Sequence, residues 1–297
     1  MIEKLTASRV IFNIFNYAFM IGFSLLCLAP IWHVFMASVS DPTELVRHSG
    51  LVLKPLGEMT LDGFRLVFEN QEIWKGYLNT LIYVLWYAVV GTVFTMIAGF
   101  LVTRQDFKLA KITMVIIVFT MMFNGGLIPS YMVIRALGMV NTRWAVMIPG
   151  MIAAFNVIMM KTAFEGLSPS YEESAKLDGA GPLTILFRIL APLVKANIAV
   201  VVLFTVVAQW NAWYPASIYL PRVREAWPLQ LFMREILIQN STAVSLLSAE
   251  TVAGEMDFTN ELVRYCVIVV GTLPILCAYP FAQKYFVKGA TLGGVKG

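Results

Sequence analysis

Long apolar runs recur along this chain and alternate with more polar segments that contain all of its Asp, Glu, Lys and Arg residues. Each run is long enough, or nearly so, to cross the roughly 30 Å hydrocarbon core of a membrane as a helix. A membrane barrel is excluded, because its strands would alternate apolar and polar positions. The pattern therefore predicts an all-α polytopic membrane protein with six transmembrane helices: Val10–Val39, Tyr77–Thr103, Ile112–Ile134, Trp144–Met160, Ala196–Pro221 and Tyr265–Ala282.

The composition excludes several functional classes. Of the 297 residues, 59% are hydrophobic and 13% are charged, whereas about a quarter of a soluble domain is charged. Polar side chains cannot cover the surface of such a chain, so membrane lipid must be its main solvent. A net charge of +4, spread along the sequence, is too small to indicate a nucleic-acid partner.

Basic residues indicate how the six helices are oriented. With the N-terminus inside, the inner segments carry 12 of the 22 Lys and Arg residues, although they are the shorter set, with 67 residues against 89. This bias has the sign that the positive-inside rule requires. We therefore expect a multi-pass protein with both termini in the cytoplasm, segments 40–76 and 222–264 outside, and segment 161–195 inside.

Segment 161–195 contains a local pattern of helix starts and stops. Ser170 followed by Glu173 predicts a capping box at the start of a short helix. Gly179 supplies a left-handed stop, and Pro182 suits the first turn of a second short helix. Pro192 is expected to end that second helix. The segment is therefore predicted to form a rigid projection of two short helices joined by a glycine elbow.

The same segment resembles the EAA motif of ABC importer permeases. The string Glu-Ser-Ala-Lys-Leu-Asp-Gly-Ala-Gly begins at Glu173, and the one departure is Ser174, where the pattern usually has Ala. In that family the motif forms a coupling helix that seats in a cleft of the ATPase subunit. The resemblance therefore implies that these residues couple the chain to an ATPase: Glu173, Ser174, Ala175, Asp178, Gly179, Ala180, Ile189 and Pro192.

The likeness extends over most of the chain. The string from Asn124 to Tyr131, the Trp210-Asn211 pair with Pro215 beyond it, Pro228-Leu-Gln and the C-terminal tail from Gln283 resemble the carbohydrate-uptake permeases. Within these, the chain is similar to the MalG-like subunits of the LplC/YtcP-like branch. This resemblance implies a MalG-like type I permease fold, a single transmembrane domain over 1–297, and an oligosaccharide substrate. An alginate oligosaccharide is the particular substrate that we infer.

The resemblance also implies partners. A second homologous permease subunit would complete the pathway as a heterodimer, and a dimer of ATPase subunits and an extracytoplasmic solute-binding protein would complete the importer. The chain contains no phosphate-binding Gly-x-x-x-x-Gly-Lys-Ser/Thr loop, so we expect no cofactor on it, and ATP with Mg would be bound by the ATPase partner. The expected location is the bacterial cytoplasmic (inner) membrane.

Polar and aromatic residues in the apolar runs are candidates for the substrate pathway, because side chains that bind sugar hydroxyls or stack on sugar rings would have to lie there. The amides have an alternative explanation, which is hydrogen bonding between helices, and the aromatic residues can instead mark the membrane interface. The candidates are Asn79, Asn156, Gln209, Trp210, Asn211, Trp213 and Tyr214.

Other functions find less support in the residues. No catalytic Ser-His-Asp or paired-carboxylate set can be placed in the membrane, and neither His33 nor His48 has a second ligand at metal-binding spacing. A membrane-embedded scaffold and a secondary transporter without an ATPase remain alternatives. A transporter driven by ions usually has an ionisable residue at membrane depth, which the six runs lack. In the outer segment 222–264, an amphipathic stretch from Leu229 to Leu237 predicts a helix that caps the bundle or contacts the solute-binding protein, with a tip at Asn240–Thr242.

Overall fold

The computed structural model describes residues 7–104, 106–247 and 254–293, and in this part of the chain every regular element is helical. The first eight helices are α1 Ala7–Ala37, α2 Pro42–Arg47, α3 Asp62–Glu69, α4 Gln71–Trp86, α5 Thr92–Thr103, α6 Ala110–Met122, α7 Leu127–Ala136 and α8 Trp144–Met147. The others are α9 Ala154–Glu165, α10 Ser170–Leu177, α11 Pro182–Thr184, α12 Ala191–Leu193, α13 Lys195–Trp210, α14 Tyr214–Tyr219, α15 Leu229–Leu247 and α16 Gly254–Gly293. The prediction of an all-α protein is confirmed.

Three of the six predicted spans are uninterrupted helices. Ser8–Ala37, Gln71–Thr103 and Asn260–Pro280 are long and apolar enough to cross a membrane. The second of these joins α4 to α5 through a π-helical turn at Tyr87–Gly91, so the helix widens but does not stop. A fourth crossing is obtained when Pro182–Leu193 and Lys195–Trp210, which meet at 90°, are counted together.

Six continuous spans are not confirmed, because each of the other three runs is divided between helices, and a glycine of positive φ lies at two of the three breaks. The run from Ile112 to Ile134 breaks between α6 and α7, where Gly126 has φ +86°. The run from Trp144 to Met160 breaks after Pro149, where Gly150 has φ +72°. The run from Ala196 to Pro221 breaks between α13 and α14. Apolar composition predicted the runs correctly, but it does not report such breaks.

Two compact units are distinguished within the chain. The first comprises Met1–Gln71 with Met233–Leu273. In it, Gly63 of α3 lies so close to α16 that a Cβ there would meet the Cys266 Sγ at 2.6 Å. The Cys266 thiol donates a hydrogen bond to the Ser38 carbonyl at 3.3 Å, and the ring of Tyr265 packs edge-on against His33. The side chains of α1 before these contacts are almost all exposed.

The second unit comprises Glu72–Phe232 with Pro274–Gly297. Its main core joins α5, α9, α10 and α13 with the π-helical turn at Ile185–Leu190. Helices α5 and α9 approach closely at Gly99, where a Cβ would meet the Met160 Cβ at 2.8 Å. A second cluster surrounds Tyr83, in the last turn of α4, and Leu220, directly after α14. The candidate coupling loop, residues 161–195, is thus packed into the same core as α5.

Side chains on one face of α4, and on the π-helical turn after it, form hydrogen bonds with backbone groups of irregular segments and helix ends. The Tyr83 hydroxyl donates to the Ala226 carbonyl at 2.7 Å, and the Trp86 indole donates to the Met147 carbonyl at 3.0 Å. The Tyr87 hydroxyl lies 2.8 Å from the Val146 carbonyl and 2.6 Å from that of Pro149. Thr80 completes this polar face by accepting the Leu229 N–H at 2.9 Å. The face therefore fixes the break after α8 and the segment before α15.

Replacing Tyr87 by Phe tests this role. The substitution keeps the ring but removes the hydroxyl that, among the described residues, reaches the Val146 and Pro149 carbonyls, so we expect a loss of about 1–3 kcal/mol in stability. Thermal unfolding of the detergent-solubilised protein measures it. The matched control is Tyr17→Phe, at an exposed position of α1, which should leave the unfolding midpoint unchanged. Equal midpoints for the two variants would contradict the role.

Candidate coupling and pathway sites

Helix α10 begins differently from the prediction. Ser170 is its first helical residue rather than its N-cap, and Pro169 precedes it with helical φ and ψ of −54° and −26° and no side-chain cap. The predicted capping box of Ser170 with Glu173 is therefore wrong. The N–H groups of Glu172 and Glu173 both donate to the Pro169 carbonyl, at 3.0 and 3.1 Å. The fixed φ of Pro169 thus starts the helix one residue earlier than a capping box allows.

Helix α10 ends as predicted, at a glycine elbow formed by residues 178–181. Gly179 has φ +78°. Its N–H donates to the Lys176 carbonyl at 3.0 Å, and the Ala180 N–H donates to the Ala175 carbonyl at 2.9 Å. These two bonds are those of a Schellman motif, which pairs the last free carbonyls of a helix. The predicted left-handed stop at Gly179 is confirmed.

The residues that the EAA resemblance selects point in different directions. Ala175 is 5% exposed and packs into the core with α5 and α9. Glu173, Ser174 and Asp178 are exposed, and they share that surface with Leu177, which is 89% exposed. Ala175 therefore fastens α10 to the rest of the chain, while the other residues form a surface that a partner can contact. The sequence did not single out Leu177, whose exposure follows from its place in the last turn of α10.

The chain after the elbow bends twice before α13. The Ala180 side chain is half-buried, and Pro182 occupies the first turn of α11 as predicted. Ile189 lies in the π-helical turn Ile185–Leu190 and packs on the same core as Ala175. The helix ends at Leu193, within one residue of the stop predicted at Pro192, and meets α13 at 90°.

Two of the candidate pathway amides are engaged in hydrogen bonds between helices. Asn79 is 2% exposed, and its amide donates to the carbonyls of Glu225 and Trp227 at 2.7 and 3.0 Å. Its oxygen accepts from the Arg143 guanidinium at 2.8 Å. The Asn156 amide donates to the Thr205 hydroxyl at 3.3 Å, between α9 and α13. For both residues the geometry favours the structural explanation over sugar contact.

The other candidates lie together at the C-terminal end of α13 and the start of α14. Trp210 is 6% exposed, and its ring lies 6.2 Å from that of Tyr77. The Asn211 amide donates to the Val207 carbonyl at 2.8 Å, at the helix break. The Trp213 and Tyr214 rings meet edge-on at 5.5 Å, and Tyr214 is 48% exposed. Gln209 is half-exposed beside them. This cluster offers aromatic faces, and it stays the candidate for sugar contact.

The outer segment is more helical than predicted. The amphipathic stretch from Leu229 forms the start of α15, which continues to Leu247. The backbone at Asn240–Thr242 is therefore helical, and the predicted tip there is wrong. Before α15, Arg224 forms two hydrogen bonds with the Glu72 carboxylate, at 2.7 and 2.9 Å, and stacks on the Trp227 ring. The start of the segment is thus fixed to α4.

Charged groups between α5 and α10 form a site that the sequence interpretation missed. Arg104, directly after α5, pairs with Glu172 of α10, and Lys176 of α10 also pairs with Glu172 at 3.0 Å. Burial lowers the pKa of the Arg104 guanidinium against an opposing effect of Asp106, but an Arg keeps its charge at neutral pH. The i,i+4 spacing of Glu172 and Lys176 was the available signal. Among the described residues, no group of ligating side chains suited to a metal ion occurs.

The fold and this site define a polytopic membrane protein with a helical elbow exposed beside its core. Residues 91–290 match the family described as "Binding-protein-dependent transport system inner membrane component". This match covers well over half of the chain. The chain therefore belongs to that family of inner-membrane transport components and is not an enzyme.

Two relatives from Bacillus subtilis (strain 168) are similar along their whole length. The polygalacturonan/rhamnogalacturonan transport system permease protein YtcP is 36% identical over 97% of this chain and 99% of its own. Protein LplC is 32% identical, over 98% and 97% respectively. A solved chain from a bacterial ABC transporter "involved in the import of the acidic polysaccharide alginate" matches with TM-score 0.83 and 29% identity, over 96% of this chain and 99% of its own.

A β-branched residue at Gly179 tests the elbow. Gly179→Val places a side chain at φ +78°, where it is strained although no atom lies within 4 Å of its Cβ, so we expect a cost of about 1–2 kcal/mol at the end of α10. Hydrogen exchange of α10 should accelerate. ATP hydrolysis by the assembled transport system should fall, while substrate capture by the solute-binding protein is unchanged.

The matched control for this variant is Gly181→Val. Gly181 also has open space around its Cβ, but its φ of −73° and ψ of 162° suit any residue. We expect hydrogen exchange and coupled hydrolysis at the native level for this variant. If the variants at 179 and 181 behaved alike, the left-handed conformation of Gly179 would be irrelevant to coupling.

Proposed function

We propose that this chain is a permease subunit of an ATP-driven ABC importer for acidic oligosaccharides, in which it forms half of the translocation pathway. The observation that carries the proposal is the likeness, over 96% of the chain, to a chain of an alginate-importing ABC transporter. The exposed elbow after α10 supports it, because an ATPase subunit needs a rigid surface of this kind to bind. A scaffold would have no use for it.

The complete assembly follows from this role. One permease domain spans 1–297, with both termini and the coupling loop in the cytoplasm and segments 40–76 and 222–264 outside. The interrupted runs each complete a crossing, so that the chain crosses the inner membrane six times. Irregular backbone is permitted at membrane depth where it is buried in protein or lines a water-filled path, so the second permease would have to cover the breaks that this chain leaves exposed. ATP and Mg²⁺ are bound by a dimer of ATPase subunits that contacts Glu173, Ser174 and Asp178.

The proposed substrate is an oligosaccharide of uronic acids, such as a fragment of polygalacturonan or alginate. Relatives that transport polygalacturonan and rhamnogalacturonan, and alginate, support an acidic sugar. The apolar runs contain no basic residue, and the 222–264 segment has four basic and six acidic residues, a net charge of −2. Capture of the acidic groups is therefore assigned to the solute-binding protein, and this chain supplies aromatic faces at Trp213 and Tyr214 to the passing sugar.

Affinity purification of the tagged chain from its native membranes tests the assembly. We expect a second, different permease and two copies of an ATPase to be recovered in stoichiometric amounts, because six helices wall only one side of a pathway. Mass spectrometry of the intact complex gives the stoichiometry. A transport-active complex with two copies of this chain and no second permease would contradict the heterodimer, and a chain recovered without any ATPase would contradict the importer.

Uptake measurements test the substrate class. Cells that lack this chain should lose uptake of labelled oligogalacturonate or oligoalginate by at least about tenfold, because no alternative wall of the pathway remains, while uptake of a neutral maltodextrin is unchanged. Re-expression of the native chain should restore uptake. Loss of the neutral sugar alone would show that the importer carries a different class of oligosaccharide.

A further inference from the structure

The coupling loop is attached to α5 by a chain of ion pairs. Arg104, at the C-terminal end of α5, pairs with the Glu172 carboxylate of α10. The Lys176 ammonium lies 3.0 Å from the same carboxylate and 3.6 Å from that of Asp106. Two charges of each sign thus alternate between α10 and residues 104–106.

The Arg104–Glu172 pair is more buried than an ordinary surface pair. The Arg104 and Glu172 side chains are 20% and 18% exposed, whereas Arg65 and Glu69, a surface pair of the same types, are 77% and 60% exposed. The Arg104 guanidinium lies over the Phe100 ring at 4.2 Å from its centroid and donates to the Thr103 hydroxyl at 3.3 Å. Partial burial strengthens a charge-assisted bond, and stacking fixes its direction.

Below this pair, α10 is not packed tightly. A cavity of about 440 Å³ opens between the end of α5 and α10, and its lining includes Arg104, Phe164 and Glu172. On the apolar side α10 is fastened only through Ala175, its one buried residue. A helix of eight residues with one buried contact can pivot about that contact. The ion pair is the second point of attachment, and two points fix an orientation.

Neighbouring residues on α10 therefore face opposite directions. Glu172 faces inward to Arg104, whereas Glu173 and Ser174 face outward. We propose that Arg104 is a positioning residue of the importer: through Glu172 it makes α10 move as one body with α5, so that force from the ATPase reaches the membrane helices. This inference rests on the coupling role proposed above for α10.

Charge reversal in the complete importer tests the proposal. The complex that copurifies with this chain is reconstituted in nanodiscs, and ATP hydrolysis is measured with the solute-binding protein loaded from a polygalacturonate digest. For Arg104→Glu and for Glu172→Arg we expect kcat of the stimulated reaction to fall about tenfold, within the range of coupling between distant sites. The KM for ATP should not change, because ATP is bound elsewhere. The double reversal should recover part of the rate, because the 104–172 pair is restored while Lys176 and Asp106 then face like charges.

Milder variants and a control separate positioning from simple stability. Arg104→Lys keeps the charge and should retain more of the stimulated rate than Glu172→Gln, which removes it, and all variants should copurify with the ATPase. Reversal of the exposed Arg65–Glu69 pair should have no effect. The proposal is overturned if both single reversals are stimulated like the native complex, or if Arg104→Lys is as slow as Arg104→Glu. A native complex without stimulation would instead count against the proposed function.

Discussion

The structure depends on the need to pair every backbone polar group that lipid surrounds. An unbroken helix meets that need by itself, but three of the apolar runs in this chain are interrupted, and each interruption frees carbonyl groups. On one face of α4 and the turn after it, Trp86 and Tyr87 bind carbonyls at the break after α8, and Asn79 and Tyr83 bind carbonyls of the irregular segment before α15. The break after α8 is therefore a built feature of the fold, stabilised by α4 and the turn that follows it.

This constraint changes how polar residues in the apolar runs are interpreted. An amide at membrane depth is a natural candidate for sugar contact, yet the Asn79 amide has both its donors and its acceptor engaged within the protein. A side chain in that state offers nothing to a passing hydroxyl unless the backbone it supports is released. Exposed aromatic faces such as that of Tyr214 remain open for contact. Sugar passage along this chain is thus better matched to stacking than to a line of buried amides.

Hydrophobic patterns and the positions of Gly and Pro predicted those elements whose conformation depends on neighbouring residues in the sequence. The glycine elbow at Gly179 was predictable because a positive φ at the end of a short helix has few alternatives to glycine. The breaks inside the apolar runs were not, because Gly and Pro are tolerated in membrane helices and their effect depends on neighbouring helices. The Arg104–Glu172 pair was missed for a related reason. Each residue taken alone is an ordinary charge beside a span, and only the fold brings them together.

The shortness of α10 has a consequence for anyone who wishes to block its surface. Isolated helices below about 12–15 residues are marginal in water, since nucleation costs more than a few hydrogen bonds return. An eight-residue segment is ordered here only because the surrounding protein holds it. A synthetic peptide copied from this segment would be disordered and a weak competitor. An inhibitor that imitates the surface of Glu173, Leu177 and Asp178 would have to bring its own rigid framework, such as a staple or a macrocycle.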